Sequence, residues 1–315
     1  MTALSNPVRE KTVMSRPDPD FLTPIFDPDF DPDFDPDFVT FFRLKGIPRR
    51  CLQLYLNQLS VKSGLPLTMA NEPISPSSNT LFEQCVSDIE RAYDELGHNL
   101  GWRFLSVGKD VLNAPVEIAL ITLNPAGNVI PPDHPMASCE SGVSYLVESW
   151  GNSKPGQSEL QIQVQRLFYM LAVEMDFQGT YQQLMEKSLI AHFIPFRSPR
   201  LKALPCKSES FELGRRLWHR LLRVCSPKLI ICLGRDVETE LLKLTPVATV
   251  SRLETSTSYP TGWGSYTATI HEFTTRQETI RLLFLPHLST FKLFTSANCT
   301  NHMPAIIRAA CKIGA

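Results

Sequence analysis

The chain has 315 residues, 43% of them hydrophobic and 20% charged, with a formal net charge of -1. That supplies a full core for one large domain or two small ones, and one large domain is the expectation. Its eight cysteines are scattered without a C-x-x-C pair or a signal peptide, which fits reduced thiols in the cytoplasm. The longest apolar runs, Ile118–Leu123 and Leu229–Leu233 among them, are strand-sized and far below the ~20 residues that span a bilayer.

The front of the chain carries Asp-Pro-Asp-Phe once at Asp18–Phe21 and three times in tandem from Asp27 to Phe38. Alternating proline and aspartate builds neither helix nor central strand, so residues 1–38 read as a disordered acidic leader. A DNA-mimicking tail is the functional alternative for it. Residues 39–315 are expected to form a single α/β domain. Leu52, Tyr55, Leu56 and Leu59 lie at helical spacing, as do Phe82, Val86, Ile89 and Tyr93, so two helices precede the first strand.

From Val116 the pattern alternates. Strands are predicted at 116–123, 189–194, 228–233 and 282–285, with helices at 159–174, 210–224, 237–244 and 303–311, and 265–273 is a possible fifth strand. Near-continuous apolar strands separated by helices predict a three-layer α/β/α fold around a mostly parallel sheet of four or five strands.

Charge is unevenly placed. Residues 1–38 hold nine acidic and three basic residues, so the remainder carries an excess of five positive charges. Ten Lys or Arg fall between Arg197 and Arg235, against only Glu209 and Glu212. This stretch either faces phosphates or is a solvated helix face whose counter-charges come from elsewhere in the fold.

In open parallel sheets ligands bind beyond the carboxyl ends of the strands. The predicted strands run into Asn124-Pro125-Ala126-Gly127-Asn128, His192–Pro199, Gly234-Arg235 and Pro286-His287-Leu288-Ser289. Leu123–Gly127 resembles the first motif of the uracil-DNA glycosylase superfamily, an Asp or Asn after a strand followed by Pro and Gly. Pro286–Ser289 resembles its closing His-Pro-Ser loop, with Leu288 in place of the usual proline. His192–Pro199 resembles the intermediate segment in which many members carry a base-reading Asn. The resemblance covers about residues 115–300.

The resemblance implies a monofunctional DNA glycosylase, a hydrolase that acts on a flipped-out altered pyrimidine and leaves an abasic site. Asn124 would hold the hydrolytic water through its side-chain carbonyl, and His287 would donate to the carbonyl oxygen of the leaving base. An amide is a poor base, so positioning and electrostatics would do most of the work. On the residues alone, Asn124 also suits a turn before Pro125, and His287 a strand-end cap.

His192 departs from the family's Asn. Either the pocket reads a base other than uracil, or His192 points into the core. Tyr145, Trp150 and Phe196 are candidate base-binding aromatics, with core packing as the alternative for the first two. Arg197, Arg200, Arg215, Arg216, Ser289, Phe291 and Lys292 are candidate DNA contacts. Leu288, Phe291 and Leu293 offer a wedge for the gap left by the flipped nucleotide, or else core packing.

Cysteine spacing lacks the four-ligand pattern of iron–sulfur members, and no zinc-deaminase cluster is present, so no metal or other cofactor is expected. The expected partner is DNA, bound by a monomer. Three uses remain open: defence by removal of a modified, glucosylated hydroxymethyl cytosine from phage DNA, repair of uracil or mismatches, and non-catalytic DNA binding on the same fold. A nucleotide-binding enzyme would need a phosphate-cradling glycine-rich loop after the first strand, and residues 124–128 contain one glycine.

Overall fold

The computed structural model describes residues 80–129, 134–276 and 278–312. The leader at 1–38 and the helix expected within 39–65 lie outside the described residues. Six strands form one mixed sheet: β1 (Ile118–Thr122), β2 (Leu189–His192), β3 (Leu229–Leu233), β4 (Arg252–Pro260), β5 (Thr267–Thr274) and β6 (Thr279–Leu285). Among the described residues there are seven helices: α1 (Leu81–Glu95), α2 (Ser144–Val147), α3 (Glu159–Glu174), α4 (Tyr181–Glu186), α5 (Lys207–Cys225), α6 (Arg235–Thr249) and α7 (Met303–Cys311).

Three helices start at capping boxes. Thr80 with Glu83, Ser158 with Gln161, and Thr180 with Gln183 each exchange side-chain and backbone hydrogen bonds, satisfying donors that a helix start leaves orphaned. α5 instead begins after Cys206 in the left-handed region, three residues before its predicted start.

The strand order is β2-β1-β3-β6-β5-β4. The first four strands are parallel, whereas β5 runs antiparallel to both β6 and β4. The expected four- or five-stranded, mostly parallel sheet is therefore corrected to a six-stranded mixed one. β1 and β3 are buried along their whole length, as strands covered on both faces must be. All of β4 except Tyr259 is exposed, so this edge strand presents no apolar alternation from which to predict it.

The crossover from β1 to β2 steps one way along the sheet, and that from β2 to β3 returns past β1 the other way. Right-handed connections then place α2–α4 on one face and α5 and α6 on the other. The packing agrees, since α5 packs on α6 and α1, while α3 packs on α2, α4 and α7. Because the chain changes direction at β1, the crevice where ligands bind in such sheets opens beyond the carboxyl ends of β1 and β3.

Candidate active site at the carboxyl ends of the strands

The segments after β1 and β2 continue the ladder. Phe193 N donates to Thr122 O at 2.7 Å, and Ile194 N to Leu123 O at 2.8 Å. The run 193–198 is then held from both sides: Ser198 N donates to Pro125 O, while Arg103 N donates to Pro195 O and Arg197 N to Gly101 O. Trp218 in α5 donates its indole N–H to His192 O at 3.0 Å, tying the second helical layer to this rim.

This frame fixes Asn124. Its Nδ2 lies 3.0 Å from Ser198 Oγ and 3.1, 3.3 and 3.4 Å from the carbonyl oxygens of Pro125, Phe196 and Ser198. Four acceptors around one end of the amide assign that end as the NH2 group, because an oxygen there would meet only other oxygens. The Oδ1 is thereby turned the other way. It has no hydrogen-bond partner among the described residues, and Asn124 is half-buried.

His287 follows β6. Its Nδ1 accepts from the backbone N–H of Ser289 at 3.3 Å and lies 2.7 Å from Ser289 Oγ. A backbone N–H can only donate, so Nδ1 is an acceptor and the ring proton sits on Nε2. Burial lowers the His287 pKa below the ordinary imidazole value, which favours the neutral ring. The closing loop is positioned by α3: buried Gln163 accepts from Phe294 N at 2.8 Å and donates to Thr295 Oγ1, and Arg166 donates to Phe294 O at 3.0 Å.

Between β1 and β6 stands β3, which ends in Gly234. Its φ of +104° is one that L side chains rarely adopt, and a Cβ there would lie 3.8 Å from His287 Cδ2. The middle strand thus leaves the floor of the crevice without a side chain. β1 and β6 are two strand spacings apart, about 10 Å, a width that takes one planar ring with a hydrogen bond at each side.

His192 ends β2 opposite Thr122, in register. Its Nδ1 lies 2.5 Å from Thr122 Oγ1. Burial, reinforced by the positive Arg103 and Arg197 and by His287, pushes its pKa down to about 3. The ring is therefore neutral near pH 7, and the residue as a whole is half-buried.

The aromatic candidates separate. Phe196 is wholly buried, with His98 stacked on it at 4.0 Å and Tyr93 at 6.1 Å, so its assignment to base binding is corrected. What it offers the site is its backbone carbonyl, to Asn124. Tyr145 is also buried, which raises its phenol pKa. Its ring meets Trp150 edge-on at 4.9 Å, and the Trp150 indole N–H donates to Glu148 at 2.9 Å. Glu148 in turn holds buried Arg103 through two bonds of 2.7 and 2.9 Å.

The basic candidates also divide. Arg197 donates to Ala126 O across the first motif, so it braces the rim. Arg200 is exposed and makes no ion pair among the described residues. Arg215 pairs with Glu240 at 2.8 Å and Arg216 with Glu212 at 3.6 Å, which is the counter-charged helix face left open above. In the closing loop Leu288 and Leu293 are fully buried, which corrects their reading as a wedge. Phe291 is half-buried against Tyr266 at 4.4 Å and Trp263 at 6.1 Å. Ser289 is committed to His287, and Lys292 pairs with Glu159.

No protein-family model and no curated protein sequence matches the chain. Its chemistry has to be argued from the site itself. Thr122, Arg103 and Glu148 belong to that site or its support and were missed by sequence reasoning, whereas Gly234 was among the strand-end residues it named. Only Thr122 left a signal, as the one polar residue ending the apolar run Ile118–Thr122. Among the described residues no three His, Cys, Asp or Glu side chains group as a metal site, and no helix is long and apolar enough to cross a membrane.

Proposed function

We propose that the protein is a DNA glycosylase that hydrolyses the N-glycosidic bond of an altered pyrimidine turned out of the double helix, leaving an abasic site. One observation carries the reading. At the switch point of the sheet, an amide whose NH2 is locked by four acceptors offers only its carbonyl, and a neutral histidine locked at Nδ1 offers only its Nε2–H. The likeness of these two segments to the superfamily's first and closing motifs supports it.

In this mechanism the bond between the base nitrogen and C1′ breaks with its electron pair leaving on the base. His287 Nε2–H donates to the base carbonyl, where the negative charge collects. A water molecule, donating one hydrogen to Asn124 Oδ1, adds to the cationic C1′ and completes the sugar. An amide carbonyl retains no proton, so the water's proton passes to the departing base or to solvent. The order is therefore dissociative, with the water held rather than deprotonated in advance. Taking the base out of the stack also supplies selectivity, because unpairing costs least for a mismatched or damaged base. Exposed cations beside the crevice, Arg200 and Lys202, would grip the phosphates of the bent duplex.

The test is base release, read by mass spectrometry, from DNA containing uracil, ordinary bases or 5-substituted cytosines. Wild type is compared with Asn124→Ala and His287→Ala. The expected result is release of one base, lowered about 100-fold or more in each variant, the scale for losing one such stabilising group. DNA binding without any release, unchanged by both substitutions, would instead make this a binding module.

A further inference from the structure

We infer that Ser256, His271 and Glu238 form a catalytic site of their own, in which a serine hydroxyl takes the acyl group of an ester. The inference is independent of the glycosylase reading, because β5 and β4 lie beyond β6, outside the crevice.

The three side chains come from three elements and meet in one line. Ser256 of β4 and His271 of β5 are cross-strand partners, so their side chains share a face of the sheet. On that face the first turn of α6 supplies Glu238. His271 Nε2 lies 2.9 Å from Glu238 Oε1, and His271 Nδ1 lies 2.7 Å from Ser256 Oγ. Arg235 donates to the other carboxylate oxygen, Oε2. With an arginine on one oxygen the carboxylate accepts at the other, so His271 Nε2 carries the ring proton. In the neutral ring Nδ1 is then the acceptor, and the Ser256 hydroxyl donates to it.

The chain runs outward, from an acid 2% exposed through a base 6% exposed to a serine on the exposed edge strand. Nucleophile, base and orienting acid in hydrogen-bonded succession is the arrangement that activates a hydroxyl. A nucleophile also needs a donor for the oxyanion it creates. No strand lies beyond β4 among the described residues, so alternate N–H groups along it point away from β5. Either Ser256 N–H or the N–H groups of Thr255 and Thr257 face outward, within one residue of the reacting oxygen.

In the reaction, Ser256 Oγ adds to the ester carbonyl as its proton passes to His271 Nδ1. The carbonyl re-forms, the bond to the alkoxy oxygen breaks, and that oxygen leaves as an alcohol with the proton from Nδ1. Water repeats the sequence on the acyl-serine, releasing the carboxylic acid and restoring the hydroxyl. Ser256 and His271 are the catalytic residues. Glu238 is a positioning residue that also offsets the charge of the ring while it holds the second proton.

The experiment treats the full chain with a fluorophosphonate, which bonds phosphorus to an activated serine with loss of fluoride, and reads the adduct by intact mass and peptide mapping. One adduct is expected, on Ser256, and none in Ser256→Ala. His271→Ala should slow labelling about 100-fold, the scale of lost general-base assistance, with partial recovery in added imidazole. Burst release of p-nitrophenol from p-nitrophenyl acetate should follow the same pattern. Glu238 and Arg235 of α6 are the charged groups on the His271 ring, whose partners across the strands, Ser256 and Leu282, are uncharged. Glu238→Gln leaves the arginine unopposed and should lower the pH of half-maximal labelling. An unmoved midpoint would remove Glu238 from the scheme. Labelling that misses Ser256, or that reaches it at the same rate in His271→Ala, overturns the inference.

Discussion

Asn124 shows how one amide can be specified by its surroundings. Its nitrogen faces the carbonyl oxygens of Pro125, Phe196 and Ser198 and the Ser198 hydroxyl, so a carboxylate at this position would set an anion against three carbonyl dipoles. Asn124→Asp is therefore expected to destabilise the fold by about 1–3 kcal/mol at pH 8, the cost of unmaking such bonds. The loss should shrink towards pH 5 as the carboxyl protonates, and thermal melts of the variant at the two pH values check it. His98 makes a second test at this scale. It is buried, stacked on Phe196 and 3.1 Å from Ser210 Oγ, and burial lowers its pKa to about 4. Below pH 6.5 the unfolded chain takes up a proton that the folded chain refuses until about pH 4. Stability is thus fully present above pH 6.5 and declines as pH falls through that window, by at most roughly 3 kcal/mol for this group. His192, with its pKa near 3, adds to the same trend. Urea titrations between pH 7.5 and 4.5 should show this decline in wild type and a shallower one in His98→Gln, and equal slopes would contradict the assignment.

At the scale of elements, the parallel half of the fold is the part that periodicity makes legible. α3 and α7 occupy the predicted residues, and β1, β2 and β3 fall inside predicted strands, because buried parallel strands and amphipathic helices write their environment into an apolar pattern. The rest is hidden for identifiable reasons. β4 is an exposed edge strand without apolar alternation, α2 and α4 are too short for a period to emerge, and α6 continues past Pro246 to Thr249, where a proline would be expected to stop it. The site divides in the same way. Asn124, His192 and His287 were legible because each follows a strand inside a recognisable segment, whereas Arg103 and Glu148 meet across 45 residues through tertiary contact alone. Gly214 in α5 illustrates a contact that no local pattern reveals. A Cβ there would lie 2.6 Å from Phe193 O and 2.9 Å from the Phe193 ring, so α5 approaches the segment beyond β2 only because this residue has no side chain. Gly214→Ala should cost about 1–3 kcal/mol despite alanine's better helix propensity, since backbone must move. Chemical denaturation measures it, and a stabilised variant would show that the helix shifts freely.

For the whole molecule, charge has to be read in place rather than summed. The net charge of -1 hides a basic stretch from 197 to 235, yet much of that stretch is already neutralised within the fold. Arg215 meets Glu240, Arg220 meets Asp88, Lys228 meets Glu117 and Arg235 meets Glu238, while Arg216 has the looser Glu212. α5 starts at the rim with Lys207 and runs back towards the start of β1, where Cys225 O accepts from Val116 N. Arg215 therefore sits eight residues, about 12 Å, from the rim end of the helix. Arg200 and Lys202, by contrast, lie exposed in the segment that follows His192, without an ion pair among the described residues. If DNA is gripped at the crevice, only the second pair should release counterions on binding. Each phosphate contact contributes about 0.9 to the slope of log affinity against log salt. Replacing Arg200 and Lys202 with alanine should then lower that slope by roughly two, and replacing Arg215 and Arg216 should change it by clearly less than one. Titrating a fluorescent duplex at several salt concentrations separates the two variants. An equal loss from both would move the DNA path off the crevice and along α5, away from Asn124 and His287.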